Sequence, residues 1–289
     1  MISKNISSFE THWNKFFKDW EEDNKGVFEK DKIWSGERKG SGKNKLEFDV
    51  FPQPYLGDFK NHSVITLNLN PSRSKNKPKQ LEEFKKTKLE DFKKADNYYE
   101  YAKSFPTKEL QFWQNQIKWI DGIFKNLKKD ISSDVYPFAI EICPWCSESW
   151  QTLKMDDEII QHLDTNVFRV IEQVIENSEL KLVLSVGKAY YDIFNYDKKN
   201  FKKIDEITSK PFEEFYFSSN SPTYKELMDN NPQHFIPQNW PIRLLSRSFS
   251  IWERNKIKYL NVHSPSGGSN NPPGKIFDEI LVNLINKHV

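Results

Sequence analysis

The chain has 289 residues, with 43 Lys and Arg against 41 Asp and Glu for a net charge of +2, so no global field announces a polyanionic partner and any nucleic-acid surface must be a local patch. Aromatic residues make up 15% and charged residues 29% of the chain, which excludes disorder, because each ring buries a large apolar area. Two cysteines exclude a disulfide-stapled fold, Met1 is followed by Ile-Ser-Lys-Asn rather than an apolar run, and no stretch of 18 uninterrupted apolar residues occurs, so a soluble, cytoplasmic protein without a membrane partner is expected. The length allows one large domain or two small ones, and one is favoured. It would run over 1–289, with an N-terminal helical extension of about 50 residues and an insertion over about 73–106.

Ser7 and Glu10 have capping-box spacing, and Phe9, Trp13, Phe16, Phe17 and Trp20 recur at helical intervals, which predicts an amphipathic helix over about 8–23 with its aromatic stripe in the core. Gly36 to Lys45 is rich in Gly, Lys and Ser and reads as a mobile loop. The turn-rich Phe51-Pro52-Gln53-Pro54-Tyr55-Leu56-Gly57 leads into a strand from Ser63 to Leu69. A Lys-rich segment follows from Arg73, with a helix expected over about 80–94 and then Tyr98, Tyr99, Tyr101 and Phe105; its charges read as a solvated face. Trp113, Ile117, Ile120, Phe124 and Leu127 share one face of a helix over about 108–128. Next come a strand from Val135 to Ile142, a helix over about 156–177, a strand from Leu180 to Val186 and a short helix opened by Gly187-Lys188. Strand-like runs at Phe212 to Phe217, Ile242 to Trp252 and Ile257 to Val262 precede a final helix over about 274–287. Alternating strands and helices predict an α/β fold, a three-layer αβα sandwich around a mainly parallel sheet.

Two polar, Pro-containing segments stand out, each directly after an apolar strand: Leu67-Asn68-Leu69-Asn70-Pro71-Ser72 and Val262-His263-Ser264-Pro265-Ser266-Gly267-Gly268. Ligands of open α/β sheets bind at the carboxyl ends of strands, so the Asn70 amide and the His263 imidazole are expected over one pocket. Each segment also reads as a plain surface turn. Backbone N–H groups in small-residue loops can face a phosphate or a developing anion. Gly187-Lys188-Ala189 fails as a phosphate loop, because Leu182 stands where the first Gly belongs and Ala189 replaces the metal-binding hydroxyl. Cys143-Pro144-Trp145-Cys146 has redox spacing, but it sits in mid-chain and lacks further Cys ligands, so a structural role is preferred to thiol chemistry or a metal centre.

Taken in order, these segments resemble the uracil-DNA glycosylase superfamily, in particular its mismatch-directed and single-strand-selective branches. Pro54-Tyr55-Leu56-Gly57 with Val64 to Ser72 is similar to the first motif, Leu182 to Lys188 to a later strand ending in Gly-Lys, and His263 to Gly267 to the second motif. Asn68 takes the place of the usual Gly, and Ser264 follows the His where the family has Pro or Asn. The resemblance implies a monofunctional DNA glycosylase, without cofactor or metal, acting as a monomer on DNA in repair or in defence against foreign modified DNA. It implies that Asn70 positions the attacking water and that His263 stabilises the departing base. Ser72 and Ser264 would help hold the substrate. Arg73, Ser266, Gly267, Gly268, Ser269 and Lys275 would contact DNA, and Tyr55, Tyr98 or Tyr99 would stack on the flipped base or serve as core. A catalytically inactive DNA- or base-binding module on the same fold is the competing reading.

Glu141 is the one acid in Phe138-Ala139-Ile140-Glu141-Ile142. As a carboxylate at a pocket wall it would repel the O4 carbonyl of uracil and accept from the N4 amino group of cytosine, so a base of the cytosine series is expected. A structural acid paired with a Lys or Arg is the equal alternative.

Overall fold

The computed structural model describes residues 2–22, 33–34, 36–48, 52–69, 111–127, 137–149, 153–207, 248–263 and 278–289. They fall into two compact units, one within Met1–Leu110 and Tyr136–Lys181, the other within Gln111–Val135 and Leu182–Val289. The chain is an α/β protein with mixed β-sheet. Among the described residues no helix is long and apolar enough to cross a membrane.

The first unit opens with helix α1 (Ile2–Glu22), which starts earlier than its sequence pattern predicts, so Ser7 and Glu10 lie inside the helix rather than at its cap. Three strands follow: β1 (Tyr55–Leu56), β2 (Val64–Asn68) and β3 (Pro137–Glu141), with β3 between the other two. The β2/β3 pair is parallel, with Asn68 opposite Glu141, and the β1/β3 pair is antiparallel. Every residue of β2 and β3 is buried, the mark of strands covered on both faces. The predicted loop after Gly36 instead forms two single 3-10 turns, Gly36–Lys39 and Gly42–Asn44. Arg38 anchors the first of them on Asp156 at 2.5 Å and Glu158 at 3.1 Å.

Helix α2 (Gln111–Asn126) belongs to the second unit. The helix expected over 156–177 is interrupted. It runs as α3 (Asp157–Leu163), a π turn (Asp164–Phe168), α4 (Arg169–Val174) and a 3-10 turn (Ile175–Asn177). Its start is capped by Asp156, whose carboxylate accepts from the Ile159 N–H at 2.9 Å.

In the second unit β4 (Leu182–Val186) leads through Gly187 into α5 (Lys188–Tyr196), followed by β5 (Lys202–Ile207), β6 (Ser248–Arg254), β7 (Ile257–His263) and α6 (Asp278–His288). The strand order is β4-β7-β6-β5, parallel between β4 and β7 and antiparallel at β6/β7 and β5/β6. Each unit thus holds a parallel pair, β2/β3 and β4/β7, with antiparallel strands beside it, in keeping with the α/β sandwich expected. Asn255 and Lys256, with φ of 49° and 67°, form the two-residue turn between β6 and β7, the geometry that matches strand twist. Trp252 and Tyr259 pack on Phe194 of α5 at 5.9 and 5.6 Å, while Phe249, Ile251 and Leu260 alternate with them and are also fully buried. Both faces are therefore covered, as in a layered α/β sandwich. Helices α2 and α6 meet at Gly122, where a methyl group would lie 2.4 Å from Asp278 Oδ2.

The runs expected over 80–94 and at Phe212 to Phe217 lie outside the described residues.

Candidate functional site

The first unit holds a cavity of about 290 Å³ at the carboxyl end of β3. The β2/β3 ladder outlasts the strands, with Ile142 N–H donating to Asn68 O at 2.9 Å and Cys143 N–H to Leu69 O at 3.0 Å, while Glu141 N–H donates to Pro54 O at 2.9 Å. The backbone of Glu141 is thereby satisfied and fixed, and its side chain lines the cavity. Around it stand Trp13 and Phe16 from α1, Trp34, Ile142, Pro144 and Val167, with His12, Asp19, His162 and Asn166 as the polar members.

Glu141 is only 7% exposed and its Oε2 has no hydrogen-bond partner among the described residues. Burial pushes its carboxyl up to about 8, against a smaller downward pull from a hydrogen bond with the Asn68 side chain. A carboxyl with that value is about nine-tenths protonated at pH 7. The acid form offers one O–H donor alongside an acceptor oxygen. The expected carboxylate is thus replaced by a neutral acid, because burial disfavours its charge and no cation compensates: among the described residues Glu141 forms no ion pair. The alternative of a structural acid paired with Lys or Arg finds no support there.

The wall opposite is built by the interrupted helix. Its π turn carries Asn166 and Val167, and the Asn166 amide donates to the His162 carbonyl at 3.1 Å and meets His162 Nδ1 at 3.2 Å. Trp34 is 1% exposed and stands edge-on to the His162 ring at 5.8 Å. Burial, and to a lesser extent the Arg38 charge, lowers the His162 pKa to about 4, so that imidazole is neutral. Single π turns recur at functional sites because they re-aim side chains without ending a helix.

In the second unit a buried polar cluster occupies the carboxyl ends of β4 and β7. Asn261 Nδ2 donates to Ser185 Oγ and to Gly187 O, both at 3.1 Å, and Ser185 Oγ donates to Leu260 O at 3.3 Å. Gly187 returns its N–H to Val262 O at 2.8 Å with φ of 128°, a backbone state open essentially to glycine alone. That geometry makes Gly187-Lys188 a tight strand-to-helix turn, as its sequence suggested. Two residues beyond Asn261, His263 ends β7 with its ring 4.4 Å from the Tyr191 ring. Lys203 Nζ donates to the Tyr191 hydroxyl at 3.2 Å and to Glu206 at 2.7 Å. Burial is the main cause that lowers the His263 pKa to about 4, with smaller upward pulls from Glu206 and Asp192 and smaller downward ones from Lys188 and Lys203. The imidazole is therefore neutral, and its Nδ1 has no partner among the described residues.

Of the residues singled out in the sequence, Glu141, Tyr55 and His263 are described. Tyr55 sits in β1, with its ring 5.7 Å from Phe138 and 6.3 Å from both Trp13 and Phe17. That is a half-buried packing position among aromatic rings, and Tyr55 is not among the residues that line the cavity. Asn70, Ser72, Arg73, Tyr98, Tyr99, Ser264, Ser266, Gly267, Gly268, Ser269 and Lys275 lie outside the described residues, and with Asn70 so does the expected pairing of Asn70 with His263. Cys143 and Cys146 are buried, unbridged thiols, Cys143 Sγ pointing to Trp145 O at 3.7 Å. Sequence reasoning took Trp13 and Phe16 for core alone and passed over Trp34, His162 and Asn166. The one signal for the last pair was their spacing of four, which puts an amide and an imidazole on one helix face.

No protein-family model, curated protein or solved structure matches the chain.

Proposed function

We propose that this protein is a monofunctional N-glycosyl hydrolase that removes a non-standard base from DNA after flipping it out of the stack, acting as a cytoplasmic monomer in repair or in defence against modified foreign DNA. The observation that carries the reading is the aromatic-walled cavity of about 290 Å³ with Glu141 at its polar end. That volume is at the lower limit of small-molecule pockets, suited to one small heterocycle with a few placed polar groups. A flipped base requires such a pocket, with aromatic walls for its faces and a hydrogen-bonding group for its edge.

In the proposed reaction the C1′–N bond breaks with its electron pair leaving on the base, through an oxocarbenium-like sugar. The oxygen of a water then bonds to C1′ and releases a proton. The segment after β2, Asn70-Pro71-Ser72, supplies the amide that positions the water, as the resemblance to the uracil-DNA glycosylases implies. His263 stabilises the departing base, and its neutral ring suits the task, since a neutral imidazole can donate one hydrogen bond to a developing anion without needing a net charge. Arg73, Ser266, Gly267, Gly268, Ser269 and Lys275 hold the DNA in this reading.

The test is incubation of the full chain with DNAs carrying different modified bases, with mass spectrometry of the released bases and detection of abasic sites. Asn70→Ala should lower single-turnover release by about two orders of magnitude or more, as removal of a positioned polar group does, while folding and DNA affinity persist. DNA binding without any abasic product would leave only an inactive binding module.

A further inference from the structure

Glu141 is an expensive residue to keep where it is. It sits 7% exposed among Trp13, Phe16, Trp34, Ile142, Pro144 and Val167, with one carboxyl oxygen left unpartnered among the described residues. An unsatisfied buried polar atom costs stability. Among the described residues no Lys or Arg lines the cavity, so none of them would neutralise a phosphate or carboxylate ligand. Of the other titratable groups around it, His12 on α1 and His162 on α3 both have pKa values lowered by burial, and Asp19 on α1 is paired with Lys15 at 2.6 Å. Asn68 of β2, opposite Glu141 in the strand register, carries no charge. The cavity therefore suits an uncharged, planar guest whose edge completes the hydrogen bonding of the carboxyl group.

We propose that this cavity binds a pyrimidine-type heterocycle through an edge carrying a donor and an acceptor side by side, with Glu141 giving one hydrogen bond and accepting the other. This rests on the glycosylase reading only for its biological context, and it changes the expected specificity. A carboxylate would repel O4 of uracil, but a carboxylic acid can donate to O4 while accepting from N3–H, or donate to N3 of cytosine while accepting from its N4 amino group. Glu141 then recognises the edge pattern without separating the two series. Ionised Glu141 can only accept, so either base meets one repulsive contact, and binding falls as the acid titrates near pH 8.

The experiment is a titration of the full chain with 1-methylcytosine and 1-methyluracil to millimolar concentration, following Trp fluorescence and checked by calorimetry, at pH 6.5 and pH 9.5. The wild type should bind both at pH 6.5, with dissociation constants within about tenfold, and both about tenfold or more weakly at pH 9.5. Glu141→Gln keeps a donor and an acceptor but cannot ionise, so it should bind equally at the two pH values. Glu141→Ala should lose binding. Absence of wild-type binding, indifference of the wild type to pH, or loss of binding in the Gln variant alongside the Ala variant would each overturn the proposal. Base release from DNA distinguishes the two readings: binding of this pattern without release removes the glycosylase and leaves the cavity assignment, while release with a pH-indifferent Glu141 does the reverse.

Discussion

Replacing Glu141 with Gln should make the protein more stable as the pH rises, and the size of the gain follows from the site. The native carboxyl titrates at about 8 against an ordinary value of 4.5, because burial disfavours its charge. A group held more basic in the folded state binds its proton more tightly there, so its contribution is fully present below pH 4.5 and is lost as pH climbs through 8. Over an interval of about 3.5 pH units at 1.36 kcal/mol per unit, wild-type stability should fall by about 4–5 kcal/mol from this group alone. The Gln variant has no such slope. Urea unfolding of both proteins at half-unit steps from pH 4 to 9.5 isolates the effect, since all other titrations cancel in the difference. That difference should be flat below pH 4.5, widen steadily to pH 8, and level off. A difference that stays constant across pH 5–8 would show that Glu141 ionises normally, and one that narrows would show a carboxylate stabilised by an unforeseen cation. Either result refutes the neutral-acid description of the cavity.

Three buried histidines should give the opposite slope on the acid side. His62, His162 and His263 are each lowered to about 4, chiefly by burial, so their stabilisation is complete above pH 6.5 and is lost as pH falls through 4, by up to about 3 kcal/mol each. Together with Glu141 this places the stability maximum near pH 6.5, and equilibrium unfolding that is flat between pH 6.5 and 5 would contradict it. If His263 acts as a neutral donor, base release should retain its rate down to about pH 4–5, and an acid limb at pH 6.5 in single-turnover kinetics would mean that His263 titrates normally. Gly187→Ala should cost about 1–3 kcal/mol, because its φ of 128° is barred to residues with a Cβ; an unchanged thermal midpoint would mean that the turn can relax.

What the sequence revealed of the fold follows from where the chain's apolar periodicity is strong. β2, β3 and β4 are mostly apolar runs and β7 carries Ile257, Tyr259, Leu260 and Val262, so all four were legible as strands, and α2 was legible from its stripe of Ile117, Ile120 and Phe124. β5 was not, because Lys-Lys-Ile-Asp-Glu-Ile carries no strand pattern of its own. Its charges are absorbed by tertiary partners: Lys203 lies over the Tyr191 and Trp252 rings at 5.3 and 5.4 Å, and Asp205 is held by Lys287 and His288 of α6, both at 2.7 Å. A strand that, among the described residues, ends the order and pairs only with β6 can tolerate such residues. The π turn between α3 and α4 was invisible for a related reason. Nothing in Asp164-Thr165-Asn166-Val167-Phe168 breaks a helix locally, and the extra residue is accommodated by how Val167 and Phe168 bury.

The site divides along the same line between local and tertiary information. Position was legible: an acid following Phe138-Ala139-Ile140 had to stand out of phase with its neighbours, and a histidine at the end of a buried strand had to reach the sheet's carboxyl edge. Charge state was not, because it depends on what surrounds the group. The same burial that makes Glu141 an acid makes His263 a neutral base, so two residues read in the sequence as formal charges or their carriers both become uncharged hydrogen-bonding groups. That outcome changes the chemistry available to them. Charge-based discrimination between uracil and cytosine needs an ionised Glu141, whereas a protonated carboxyl offers a donor and acceptor pair that would suit either edge. In the proposed reading, selection among pyrimidines then comes from shape, through the ring of Trp34 and the side chains that the π turn places on the cavity wall, and substitutions at Val167 or Asn166 are where a change in base preference should first be found.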